Sequence, residues 1–329
     1  MRSFGSELVV LAGAHGFIGR IHAEIYRSLG VPVLEVDIGD AEPTRAELDA
    51  LTWADVIVDV CTPTAVHTDS IRWGYERGAR RFLVEKPATR NYVDWRACMI
   101  DVPEALIFVG HSYMFSRTFE VMFDACPEIV SMTAAFDKDR AADDARLRGA
   151  DAHGRLPDVF QIEVPHAFAM VLAVQPALDL LSAAYTHYGE RGPGSHEPTS
   201  CEARFTHRTL PDVLVSSDLR APRRRLVELE GDDGRRVAGY FPLSSASPDC
   251  LVYSEDVRGR RTTLLEGRDD LLRATLVAGL EAMRTGSVPW LASAQFAGVV
   301  LARIAEACRL AEATGPPDLD GVSTGAAAE

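Results

Sequence analysis

Over the first 110 residues, short apolar runs alternate with stretches of helical periodicity. Residues 7–12, 31–36, 56–61, 82–84 and 105–109 are runs of strand length that lack the period-2 pattern of a half-exposed strand. Between them, 17–29, 44–51 and 65–77 show helical spacing, and the first and last of these stop at Gly30 and Gly78. Continuous apolar strands separated by helices predict a parallel sheet covered on both faces.

Beyond this point the pattern changes. Residues 129–137 read as a strand, and 141–157 as a polar, charged loop. An apolar helical pattern runs over 159–181, limited by Pro165 and Pro176. Repeated strands follow from 200 to 265, with turn chemistry at Gly231-Asp232-Asp233-Gly234. Two helices are predicted at 269–285 and 293–313, separated by Val288-Pro289-Trp290. The Gly-, Pro- and Ala-rich stretch 315–329 reads as a disordered tail. The expected fold class is therefore α/β: a dinucleotide-binding domain over 1–125, then an α+β domain over 126–314. At 329 residues the chain has room for both, since single cores stop growing near ~250–300 residues.

Composition narrows the function. The net charge of −14 argues against nucleic-acid binding, which needs a basic face. The one basic run, Pro222-Arg223-Arg224-Arg225, reads as a turn with solvated charges. The apolar run near the N-terminus is too short to span a membrane and continues into a glycine loop instead of a cleavage site. Six cysteines at 61, 98, 126, 201, 250 and 308 form no Cys-x-x-Cys pair, so no metal site is expected and a reduced, cytoplasmic compartment is. Cys61 falls in a buried run, where a thiol behaves as a small hydrophobe.

The first strand is followed by Gly13-Ala14-His15-Gly16-Phe17-Ile18-Gly19 and then a helix. Glycines here let the backbone turn tightly and approach a pyrophosphate at the helix N-terminus. The spacing is one residue off G-x-G-x-x-G: either Gly13 opens a G-x-x-G-x-x-G variant, or Ala14 takes the first glycine position. Asp37 ends the second strand 21 residues after Gly16, where a carboxylate accepts hydrogen bonds from a ribose 2′-hydroxyl. It would repel a 2′-phosphate, and Ile38-Gly39-Asp40 offers no arginine to counter it, so NAD is favoured over NADP.

Positive charge in this chain is written almost wholly as arginine. Only Lys86 and Lys138 are lysine. Lysine, unlike arginine, exchanges its proton when its environment shifts its pKa. Lys86 lies in Glu85-Lys86-Pro87 at the end of a predicted strand, where open parallel sheets bind ligands. The Tyr-x-x-x-Lys pair of extended short-chain dehydrogenases is absent, because the residues four before the lysines are Phe82 and Ala134.

A different order of motifs is present. Thr62-Pro63-Thr64-Ala65-Val66-His67 follows the third strand, Glu85-Lys86-Pro87 the fourth, and Gly110-His111-Ser112-Tyr113 the fifth, with Val164-Pro165-His166 about 80 residues after the lysine. Gly19-Arg20-Ile21-His22 also fits the loop-to-helix start. In this order the chain resembles the Gfo/Idh/MocA family of glucose–fructose oxidoreductases and inositol dehydrogenases, over nearly its whole length. The resemblance implies a Rossmann domain and a second domain with a large, mostly antiparallel sheet that pairs subunits into a homodimer or homotetramer. It implies hydride transfer between a nicotinamide and a secondary alcohol or ketone of a sugar, sugar nucleotide or cyclitol. Lys86 would contact the reacting oxygen across a cis Lys86–Pro87 bond, and His166 would share the proton transfer. Thr62, Pro63, His67 and Glu85 would line the cofactor's ribose and nicotinamide, and His111 and Tyr113 the substrate.

The sequence departs from the family at one place. Many members carry an aspartate four before the histidine; here that position is Ile162, and the nearest carboxylate is Glu163. Glu163 either replaces the aspartate or binds a cationic or hydroxylated substrate group. The second option opens imine or amine chemistry, and the missing aspartate leaves room for a non-catalytic NAD-sensing protein on the same fold. Asp143, Asp144 and Asp151 form either a lid or a solvated loop.

Overall fold

The computed structural model describes residues 7–37, 42–139, 159–192, 195–244 and 246–314. The expected loop at 141–157 with its aspartates, the tail from 315, and Ile38-Gly39-Asp40 lie outside the described residues.

Strands β1 (Leu8–Ala12), β2 (Val33–Val36), β3 (Val56–Val60), β4 (Arg81–Val84) and β5 (Leu106–Val109) form one parallel sheet in the order β2-β1-β3-β4-β5. The central strand β3 is buried at all five positions, as its unalternated Val-Ile-Val-Asp-Val run requires. Helix α1 (Phe17–Leu29) covers one face through Tyr26, which packs with Val9, Ile57 and Leu83. Helices α3 (His67–Glu76) and α4 (Tyr92–Asp101) cover the other through Ile71 and Trp95. α2 (Glu42–Asp49) lies between β2 and β3 in the chain. Helix α4 and the next, α5 (Arg117–Asp124), were not evident from periodicity, yet both are announced by caps: Asp94 N donates to Asn91 Oδ1 and Phe119 N to Ser116 Oγ, each at 2.9 Å.

The second sheet holds eight strands in the order β13-β12-β11-β10-β6-β9-β8-β7. These are β6 (Ile129–Asp137), β7 (Asp179–Gly192), β8 (Ser195–His207), β9 (Leu210–Asp218), β10 (Arg224–Gly231), β11 (Arg236–Tyr240), β12 (Asp249–Glu255) and β13 (Arg261–Arg268). All neighbours are antiparallel except β6 and β9. The helical pattern expected over 159–181 ends early. It forms α6 (Val159–Ile162) and α7 (Val164–Val174), after which Pro176 bars continuation and β7 begins at Asp179. Pro165 lies in the first turn of α7, where a missing N–H costs nothing.

The two late helices bind the halves together. α8 (Leu271–Thr285) follows the second sheet in sequence but packs on the first, placing Leu276, Leu280 and Met283 with Val9, Leu83 and Phe108. α9 (Ala294–Thr314) serves both cores: Ala297 and Leu301 join Trp95 and Val84, while Phe296, Val300 and Ile304 join the core under the second sheet. The opposite face of that sheet carries the exposed Glu228, Tyr240 and Leu264. No helix among the described residues is long and apolar enough to cross a membrane.

Candidate active site

The first sheet's strand order reverses between β1 and β3, so a crevice opens beyond the C-terminal ends of these two strands. The loops leaving them touch there. Gly13 takes a left-handed φ of +83°, and a Cβ on it would lie 2.7 Å from the Cys61 carbonyl and the Thr62 nitrogen. A Cβ on Gly19 would fall 2.2 Å from the Gly13 oxygen, and one on Gly16 3.1 Å from it. Gly13 is thus a required turn residue, and the loop reads as G-x-x-G-x-x-G. Gly16 caps α1 without a side-chain bond, and the first turn of α1 holds no acidic residue. The positive end of α1 therefore faces the crevice with no anionic side chain of its own first turn, which suits a pyrophosphate. Asp37 closes the loop from the β2 side, accepting a hydrogen bond from the His15 N–H at 2.8 Å, and Arg20 Nε donates to the His15 carbonyl at 2.8 Å. Ala14 is buried beneath the loop and Phe17 is exposed on it.

At the end of β4 the Lys86–Pro87 bond is cis. Lys86 is half-buried and lines a cavity of about 150 Å³ with Ile18 from the glycine loop, Glu85, Ser112, Tyr113 and His166. Lys86 and His166, 80 positions apart, therefore share one space. The His166 ring stands edge-on to Tyr113 at 4.7 Å between centroids and lies over Phe136 at 6.2 Å. His111 is buried beside the same region, with neither ring nitrogen hydrogen-bonded and its ring edge-on to Phe296.

Glu163 is held from two sides. Arg225 Nη2 donates to Oε2 at 2.6 Å, and Lys138 Nζ lies 3.5 Å from Oε1. Arg225 Nε also donates to the Tyr113 hydroxyl at 3.0 Å, and Nη1 to the carbonyls of Asp137 and Arg224. The expectation of solvated arginines at 222–225 is thus corrected: Arg225 is buried. The reason is strand periodicity, since Arg225, Val227 and Leu229 alternate on the inward face of β10. The signal was present in the sequence, as was that of Lys138. The chain's two lysines converge on this region.

The surroundings set the proton chemistry. Burial lowers the Lys86 pKa below the ordinary lysine range; Glu163 and Glu85 oppose this, while Lys138 and Arg225 reinforce it. Burial, then the charges of Lys86 and Arg225, hold His166 well below the ordinary imidazole range, so it is neutral at pH 7. Burial and Lys86 bring His111 down to about 4. Burial raises the Tyr113 pKa, keeping it a phenol.

The loop after β3 packs behind the Lys86–Pro87 segment. His67 is buried, with Nε2 2.7 Å from the Thr62 carbonyl and Nδ1 3.1 Å from that of Pro87. Burial lowers its pKa, so it has one N–H to give, and the shorter contact, to Thr62, takes it. Thr62 Oγ1 bonds Ser70, and Pro63 is exposed at the crevice. His67 thus closes its own loop on Thr62, with its ring set against the Pro87 carbonyl.

Two solved structures share this architecture. UDP-N-acetylglucosamine 3-dehydrogenase GnnA from Acidithiobacillus ferrooxidans superposes with a TM-score of 0.72 at 18% identity, over 93% of this chain and 98% of that one. KijD10, a 3-ketoreductase from Actinomadura kijaniata solved with NADP and TDP-benzene, gives 0.67 at 15% identity, over 93% and 98%. The fold is theirs. At these identities the likeness speaks for the fold alone. No protein-family model matches the chain, and no curated protein matches its sequence.

Proposed function

We propose that this chain is a nicotinamide-dependent oxidoreductase of the Gfo/Idh/MocA type, interconverting a secondary alcohol and a ketone on a sugar, sugar nucleotide or cyclitol. The observation that carries the reading is the cavity shared by Lys86, His166 and Tyr113, which Ile18 joins to the glycine loop. The glycine loop, the α1 N-terminus and Asp37 would hold the dinucleotide, with NAD favoured because the Asp37 carboxylate would repel a 2′-phosphate. Glu85, Thr62 and Pro63 stand on the side where the nicotinamide ribose would lie. The nicotinamide, when bound, supplies or accepts the hydride.

The chain's own residues handle one proton and the orientation. Lys86 Nζ, with its pKa lowered by burial, gives a proton to the carbonyl oxygen in reduction and takes one from the hydroxyl in oxidation. His166, neutral at pH 7, offers one donor and one acceptor nitrogen to the same region. Tyr113 is kept in place by Arg225 and supports the His166 ring. The amine reading relied on Glu163 as a receptor for a cationic substrate. Its carboxylate already lies between Arg225 and Lys138, which favours the alcohol reading. Homodimer or homotetramer formation would use the uncovered face of the second sheet.

The test starts with native mass spectrometry for co-purified nucleotide and fluorescence titration with NADH and NADPH, followed by a substrate screen. Tighter binding of NADH is expected. Lys86→Ala should lower turnover by about 10²–10⁴-fold with cofactor affinity unchanged. Absence of binding to either nucleotide refutes the oxidoreductase reading, and a Lys86→Ala variant with full turnover refutes the role of Lys86.

A further inference from the structure

β3 is buried along its whole length, yet its fourth residue is Asp59, 1% exposed. Charge inside a doubly covered strand is costly unless paired and hydrogen-bonded. Its partners come from the inward stripe of α1, where His22 and Tyr26 stand one turn apart. The Tyr26 hydroxyl donates to Asp59 Oδ2 at 2.7 Å, and His22 Nδ1 lies 2.8 Å from the same oxygen. Cys61 Sγ lies 3.7 Å from Asp59 Oδ1 and 3.2 Å from His22 Nδ1, so this cysteine belongs to a polar cluster and is not the plain hydrophobe its sequence context suggests. The other imidazole nitrogen, Nε2, lies 3.4 Å from Glu85 Oε1. Asp59, His22, Glu85 and Lys86 thus form a line from the middle of the sheet to the cavity, and their charges alternate in sign. The donor atoms of His22, Asp59 and Cys61 lie within 4.8 Å of one another, and hydrogen bonds among them account for that closeness.

The Nε2 contact to Glu85 lacks hydrogen-bond geometry, so it stabilises Glu85 as an ion pair, which requires the ring to be doubly protonated while Nδ1 donates to Asp59. Burial opposes that charge, while Cys61 and Asp59 favour it, and the result is a His22 pKa well above the ordinary imidazole range. Burial also raises the Cys61 pKa and keeps it a thiol, so Asp59 is the group that holds the imidazolium. Burial, the largest influence, pushes Glu85 up, but His22 first, then Lys86 and His67, together pull it down, and its pKa is lowered.

We infer that His22, locked by Asp59 and Tyr26, is a positioning residue that keeps Glu85 ionised and through it sets the protonation of Lys86. The inference rests on the reading of Lys86 as the proton-handling group. The groups facing Lys86 are Glu163 and Glu85, which favour its charge, Lys138 and Arg225, which oppose it, and the neutral rings of His111 and His166. Facing His22 are Asp59, Cys61, Tyr26 and Glu85. Without the imidazolium, Glu85 takes up a proton, and Lys86 loses one of its two favourable charges. Lys86 then titrates at lower pH. The direct loss of a positive charge at His22 would act in the opposite direction, so the sign of the shift separates the two routes.

The chain's two lysines make this measurable. Protein labelled with 13Cε-lysine gives two side-chain signals, assigned by Lys138→Arg, and the Lys86 signal is followed against pH. The His22→Gln variant is expected to lower the Lys86 midpoint by about one unit. Glu85→Gln should lower it at least as far, and adding His22→Gln to Glu85→Gln should change nothing further. An unchanged or raised midpoint in His22→Gln, or an equal shift in the Glu85→Gln background, overturns the inference. A second measurement needs no variant: the long-range 1H–15N spectrum of 15N-histidine protein at pH 7.5 should show His22 doubly protonated, and a neutral His22 overturns the inference. Neither readout uses nucleotide or substrate, so a chain that binds no nicotinamide would sink the oxidoreductase reading without altering this result.

Discussion

Replacing Arg225 by methionine should be among the most damaging single changes in the second half of the chain. Arg225 and Glu163 have side chains only 4% and 5% exposed, and their shortest contact is 2.6 Å. Removing one partner of such a pair leaves a buried charge and costs about 3–5 kcal/mol. Lys138, 3.5 Å from the other oxygen, remains as partial compensation and places the value near the low end. Loss of the bond to the Tyr113 hydroxyl adds about 1 kcal/mol. The sum is about 4 kcal/mol, which for a chain of this size corresponds to a fall in Tm of roughly 6 °C. The double variant Glu163→Leu/Arg225→Met removes both charges and should recover most of the loss, because no buried charge is then left alone. Urea unfolding with linear extrapolation measures both. A single variant that loses less than about 1 kcal/mol, or a double variant no more stable than the single, refutes the claim that this pair is desolvated and mutually dependent.

Three further outcomes are expected. Gly19→Ala places a methyl group 2.2 Å from the Gly13 carbonyl, so the loop must open; nucleotide affinity in the fluorescence titration should fall at least tenfold, by about 1.4 kcal/mol or more, and unchanged affinity would place the nucleotide elsewhere. Asp37→Ser removes the carboxylate that accepts from His15 and should narrow the preference for NADH over NADPH, read as the ratio of the two Kd values, with an unchanged ratio counting against Asp37 as the discriminator. His111 has a folded pKa of about 4 against about 6.5 when unfolded, so the unfolded chain binds the proton first and stability is lost as pH falls from 6.5 toward 4. Between pH 7 and 5 that contribution is about 2 kcal/mol, and His111→Phe should lose that much less over the same interval in urea titrations.

Much of the first sheet was legible in the residues because its signals are local. An unalternated apolar run between helices has to be buried on both faces, and β1, β3, β4, β5 and α1 fall within a residue or so of their expected bounds. Gly13 and Gly19 were legible for a related reason: a loop that must pass within van der Waals contact of the next strand's loop admits no side chain. The lysine at 86 stood out against a background of arginine. In the second half, β7 was hidden because the apolar run of α7 continues almost unbroken into it, and only Pro176 marks the change.

By itself, then, the chain determined two sheets, a nucleotide-type loop and a reactive-lysine candidate, since each depends on neighbours within a few residues. The tertiary structure decided which charges meet. Glu163 and Arg225 are 62 positions apart, His22 and Asp59 37, and Lys86 and His166 80, separations over which no local propensity acts. It also decided that α8 returns to cover the first sheet, because the apolar face left by Val9, Leu83 and Phe108 is where its own apolar stripe loses the most water.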